Sequence, residues 1–143
     1  MSVDYNWLQV ILSAIEGDLI TTTTKIEKII GELKSSEKIA LFNFAELVDY
    51  TTNYIICCLQ LGRLVEIVDA HNYILTLLPK VSFHIFNHGT VLAHFVYSLQ
   101  YAYLQMGAVK GYKRAVQLEK QIRTLGNAYD LKLEVNMLSL IHI

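Results

Sequence analysis

Apolar residues return at three- and four-residue intervals along most of this chain, the pattern of helices that each bury one face. Trp7, Val10, Ile11, Ala14 and Ile15 predict a helix over about Asp4 to Glu16, and Ile26, Ile29, Ile30 and Leu33 predict a second over about Leu19 to Leu33. Thr21 to Thr24 weaken the start of the second, because a run of β-branched residues costs helix propensity, and a frayed or irregular first turn is expected. Lys34-Ser35-Ser36-Glu37 reads as a turn in which Ser35 or Ser36 caps the next segment. A third helix, about Phe44 to Leu61, carries Phe44, Leu47, Val48, Thr51, Ile55, Cys58 and Leu59 on one side and Asp49, Asn53 and Gln60 on the other. A fourth runs from about Leu64 to Leu78 with Leu64, Ile67, Val68, His71, Ile74, Leu75 and Leu78 in phase, and the only proline, Pro79, falls where it should stop. The fifth, about Thr90 to Met106, buries Leu92, Val96, Leu99, Tyr103 and Met106, and the sixth runs from Val109 to Leu125 before Gly126-Asn127. A seventh begins beyond that point. No strand alternation intervenes, so the expected fold class is all-α.

The helices pair up. Gly17, Gly62 and Gly107 are equally spaced at 45 residues, each between two helical stretches and each followed two positions later by an apolar residue, Leu19, Leu64 and Val109. A fixed period of this size marks a helical-hairpin repeat with glycine at the turn. Ile29 and Ile74 fall in register, as do Leu33 and Leu78, whereas the third unit has Glu119 and Arg123 at those places. Leu41-Phe42-Asn43 and Ile85-Phe86-Asn87 are 44 apart, which implies slightly different turn lengths. The units are expected at about 1–34, 35–79 and 80–126, with a fourth starting over 127–137.

At Leu61-Gly62-Arg63, followed by Glu66, Ala70, Ile74 and Pro79, the chain resembles a tetratricopeptide repeat, whose second helix begins after such a turn and closes at a proline. It departs from that family in its longer period, the family's being about 34 residues, and in placing bulky Ile55 and Ile67 where the family has small residues. The resemblance implies a right-handed solenoid of stacked antiparallel hairpins, about six or seven helices in all, whose first helices line a concave groove. Arrays of this kind are similar to the scaffold or sensor part of larger bacterial regulators. Moving 45 residues along takes Asp49, Asn53 and Gln60 to His94, Ser98 and Gln105, and both triplets lie opposite an apolar stripe. With Tyr50, Tyr97 and Tyr101 beside them, these strips are the expected partner-binding groove, offering hydrogen bonds and aromatic contact to a protein or peptide. The plainer alternative is the solvated face of an ordinary bundle.

Composition narrows the class. The hydrophobic share of 53% and mean hydropathy of +0.35 are high, yet the longest apolar runs, such as Ile55 to Leu59, fall far short of the roughly 18 residues that read as a membrane span. Asp4 and the lack of a basic start before an apolar run argue against a secretory signal, so a cytoplasmic location and no membrane contact are expected. Adjacent Cys57 and Cys58 within a helix suit neither a disulfide nor a metal and read as buried thiols in a reducing compartment. A net charge of −1 argues against nucleic acid or an anionic membrane as partner. Lys110, Lys113, Arg114, Lys120 and Arg123 do cluster on one helix, where Lys110, Arg114, Gln117 and Gln121 can share a face toward solvent or an acidic partner.

Candidate chemistry is sparse. His84, His88 and His94 invite a metal reading, but the first two fall in a loop-like stretch and no carboxylate or cysteine joins them, so no metal or cofactor is expected. His71, on an apolar stripe, reads as a hydrogen-bonded, partly buried side chain rather than a catalyst. No phosphate-cradling loop, nucleophile elbow or zinc-helix motif is present, so an interaction module is expected and an enzyme is not. The alternative is a helical enzyme or small-molecule-binding domain without a recognisable motif. The two differ in surface: a scaffold exposes Asp49, Asn53, His94 and Ser98 along an open face, whereas a ligand site gathers ionisable residues in a pocket. Leu138-Ser139-Leu140-Ile141-His142-Ile143 is similar to the translated end of a transposon used to build sequencing libraries. It is expected to be a non-native tail, with the natural chain continuing past Met137 and an uncapped last repeat free to self-associate.

Overall fold

The computed structural model describes residues 16–81 and 89–128. The expected first helix, Ile85-Phe86-Asn87, the histidines at 84 and 88, nearly all of the fourth unit and the terminal tail lie outside the described residues. Those that are described form α1 (Leu19–Leu33), α2 (Glu37–Phe42), α3 (Phe44–Leu61), α4 (Leu64–Leu77), a 3-10 turn (Leu78–Lys80), α5 (Gly89–Gln105) and α6 (Val109–Ala128), with no strand among them.

Local chemistry sets most of these boundaries. Asp18 caps α1 by accepting from the Thr21 amide at 3.0 Å, and the threonine hydroxyls bond backward along the helix, Thr22 to the Asp18 carbonyl at 2.8 Å and Thr23 to that of Leu19 at 2.7 Å. These bonds hold the expected frayed start in a regular turn, and Thr22 and Thr23 are buried. The segment after the serine turn is helical as well. Ser36 accepts from the Ile39 amide at 3.1 Å and starts α2, which Asn43 closes by donating its side-chain amide to the Ile39 carbonyl at 3.0 Å. At the far end α6 continues through Gly126-Asn127, where a stop was expected. A glycine inside a helix costs only about 1 kcal/mol and does not oblige termination.

The turns after α3 and α5 close in the same way. Gly62 and Gly107 have φ of 71° and 67°, a left-handed conformation that side chains disfavour. In the first, the Arg63 amide donates to the Cys58 carbonyl at 2.8 Å and that of Gly62 to Leu59 at 3.1 Å; in the second, Ala108 donates to Tyr103 at 2.8 Å and Gly107 to Leu104 at 3.2 Å. Both are Schellman closures, which satisfy the last carbonyls of one helix while reversing the chain into the next. Gly17, ahead of α1, has φ of 76°.

α3 is the centre of the packing, with α1, α4 and α5 against it, and α5 is backed in turn by α6. Leu47, Ile55 and Phe95 are fully enclosed there, and burying side chains of this size stabilises by about 2 kcal/mol each. Ile55 and Ile67, expected as bulky departures from the tetratricopeptide pattern, both belong to this core. Between α5 and α6 the interface turns polar. Gln100 donates to Glu119 at 2.9 Å, Arg123 donates to the other Glu119 oxygen at 3.1 Å, and Arg123 also reaches the Tyr97 hydroxyl at 3.4 Å. Positions 119 and 123 thus depart from the apolar residues at 29/74 and 33/78 because a hydrogen-bonded ion pair occupies them.

Candidate functional site

Two surfaces of α3 carry candidate chemistry, and helix periodicity separates them. At about 100° per residue, Asp49, Asn53 and Gln60 fall within one narrow arc while Thr51 and Tyr54 point the other way. On the first side Asp49, Gln60, His94 and Gln105 are exposed, and Asn53, Ser98 and Tyr101 are half-buried. α3 and α5 are neighbours, and each carries one of the two polar strips. Asn53 spends its side-chain amide on the Asp49 carbonyl at 3.0 Å. Tyr50 and Tyr97 are only 5% and 4% exposed, so their rings belong to the core and do not offer open aromatic contact. The Tyr97 hydroxyl instead accepts from Arg123. Of the three tyrosines expected to flank the strips, Tyr101 alone keeps appreciable exposure.

On the other side α1 and α4 both rest on α3, and a cleft of about 250 Å³ opens between them. Its polar walls are Glu27 from α1 and Lys34 just past its end, Tyr54 from α3, and Glu66, Asp69 and Tyr73 from α4. Ile30, Thr51 and Ala70 supply the rest of the lining. The Tyr54 hydroxyl donates to Glu27 Oε2 at 3.0 Å, and the Lys34 ammonium stands 4.6 Å from the centre of the Tyr73 ring. Burial, then the neighbouring Cys58 and Glu27, raises the Tyr54 hydroxyl well above the ordinary tyrosine range, so it remains a donor. Burial pushes the adjacent Cys58 thiol up to about 11, which leaves it protonated and unreactive at neutral pH. Cys57 and Cys58 are both free and buried.

This cleft was missed in the sequence, although part of its signal was there. Glu27, Ile30 and Lys34 repeat the spacing of Glu66, Asp69 and Tyr73, three then four residues, so each triplet shares a helix face. What periodicity does not say is that the two faces confront each other across α3.

His71 and Tyr103 form a third polar feature, wholly inside. Both are 0% exposed, with His71 Nδ1 2.9 Å from the Tyr103 hydroxyl, while His71 Nε2 has no hydrogen-bond partner among the described residues. Burial, then the nearby Arg114, lowers the imidazole to about 4, so it is neutral at physiological pH. Arg114 donates to Asn72 on α4 at the solvent-exposed surface. His94 is exposed, and among the described residues no group of three or more His, Cys, Asp or Glu side chains comes together to hold a metal ion. No helix among them is long and apolar enough to cross a membrane. Neither family models, curated proteins nor solved structures give a match to this chain.

Proposed function

We propose that this chain is a tetratricopeptide-like module of stacked helical hairpins that binds a protein or peptide, as the scaffold or sensor part of a larger regulatory protein. The observation that supports it most is the side-by-side placement of α3 and α5, each backed by its own second helix after a glycine turn of the same form, with Asp49, Gln60, His94 and Gln105 left exposed. In this reading the first helices of a right-handed solenoid line the binding face, and an extended peptide lies across them. Carboxylate, amide and imidazole groups alternate along that face and suit the polar backbone of such a peptide.

A screen of immobilised peptides against the purified chain tests this, repeated with the double variant Asp49→Ala/His94→Ala. Both side chains are exposed, so the fold is retained, and peptides selected by the wild type are expected to lose about tenfold in affinity. Unchanged binding by the double variant sinks the assignment of this face. One observation favours a second reading, a helical small-molecule-binding domain: ionisable and aromatic side chains converge in the cleft between α1 and α4.

A further inference from the structure

The cleft has an unbalanced charge. Glu27, Glu66 and Asp69 face it with a single ammonium, that of Lys34. Glu27 is engaged by the Tyr54 hydroxyl, but Glu66 and Asp69 have no ion-pair partner among the described residues. An anion is therefore repelled. A bare metal ion is ill served as well, since the described carboxylates do not come together as a ligand set. The remaining lining has a different character: the ring of Tyr73 presents a face, and Ile30 and Ala70 present aliphatic surface. Carboxylate, ring face and apolar wall together match a positively charged head on a methylene stem.

The structure already holds one such group in place. Lys34 lies just past the end of α1, and its ammonium stands over the Tyr73 ring at 4.6 Å, the position that the ring's negative face favours for a cation. Lys34 is exposed, so it can leave this position without unpacking the core. The cleft is thus preformed and carries a displaceable tenant of the chemistry it selects.

We propose that the cleft between α1, α3 and α4 binds an organic ammonium group, its head met by Glu66, Asp69 and the face of Tyr73 and its methylene stem by Ile30 and Ala70. Lys34 occupies the site in the absence of ligand and competes with it. This site lies on the side of α3 opposite that helix's own polar strip and depends neither on the hairpins being repeats nor on peptide binding at the strips. The ammonium can come from a free alkylamine or from a lysine of another chain, and the same titration tells them apart.

The test is calorimetric titration of the purified chain with 1,5-diaminopentane, with the capped tripeptide acetyl-Gly-Lys-Gly-amide, and with uncharged 1-pentanol. Saturable binding is expected for at least one ammonium probe and none for the alcohol. Glu66→Gln/Asp69→Asn is expected to weaken it about tenfold, and Asp69→Asn alone, at an exposed carboxylate, about threefold. Lys34→Gln removes the competitor and is expected to strengthen binding about threefold. A diamine that binds more tightly than the peptide identifies a free amine as the ligand; the reverse order identifies a lysine side chain, and both support ammonium recognition. Absence of saturable binding by both ammonium probes to wild type and to Lys34→Gln, or equal affinity in the carboxylate variants, overturns the proposal.

Discussion

His71 shows how much a single buried polar side chain can control. Folded, it titrates at about 4, below its ordinary 6.5, so the unfolded chain takes up a proton first as pH falls. The stability involved is fully present above about pH 6.5 and is drained as the pH drops toward 4, by an amount on the order of 3 kcal/mol. Urea unfolding of wild type and His71→Gln between pH 7 and 4.5 is expected to give a shallower pH dependence for the variant; parallel slopes would remove His71 as the cause. Its partner Tyr103 imposes a second constraint, on Gly111 in α6. A Cβ at Gly111 would stand 2.5 Å from Tyr103 Cε1 and closer still to Cδ1, a clash with a ring that is fully buried. Gly111→Ala is expected to cost about 1–3 kcal/mol as α6 is pushed off α5, measured by denaturant titration, although alanine ordinarily favours a helix. The polar character of His71 was legible as an interruption of an apolar stripe. Its bond to Tyr103, 32 residues away, and the demand on Gly111 were not, because both arise only where separate helices touch.

The helices themselves were largely written in the periodicity. α1 and α3 begin and end at the expected residues, and α4 stops at Leu77, next to the 3-10 turn that contains Pro79. The exception is α2, a helix of 6 residues, too short for an amphipathic stripe to declare itself. It leaves Phe42 84% exposed, so burial contributes little to it and its cap contributes correspondingly more. Ser36→Ala is expected to cost about 1 kcal/mol in global stability and to speed amide exchange locally at Ile39; an unchanged exchange rate would show that α2 is held by its contacts with α3 and α4 instead. In α1 the opposite competition was decided. Side-chain bonds from Thr22 and Thr23 back to the helix, together with the Asp18 cap, outweigh the poor propensity of the threonine run.

For the whole molecule the arrangement around α3 matters most. The polar strip of α3 and the ammonium cleft lie on opposite sides of that helix, so their ligands are expected not to compete. Asp49→Ala/His94→Ala should leave the diamine titration unchanged, and a loss of diamine binding in that variant would show that the two faces are coupled through α3. That each triplet avoids the core was legible beforehand because each lies on one face of one helix, and a single helix obeys a period that sequence displays. Tyr50 and Tyr97 were misjudged because adjacency to a strip does not reveal what packs over the ring. The sequence by itself determined the all-helical class, most helix boundaries and the glycine turns, since these depend on local dihedral preferences and on which side of each helix is apolar. Tertiary structure alone decided the cleft, the buried His71–Tyr103 pair and the bonds from Gln100 and Tyr97 to Glu119 and Arg123. Each of these depends on which helix faces meet in space, and the period of one helix carries no information about the neighbour it will face.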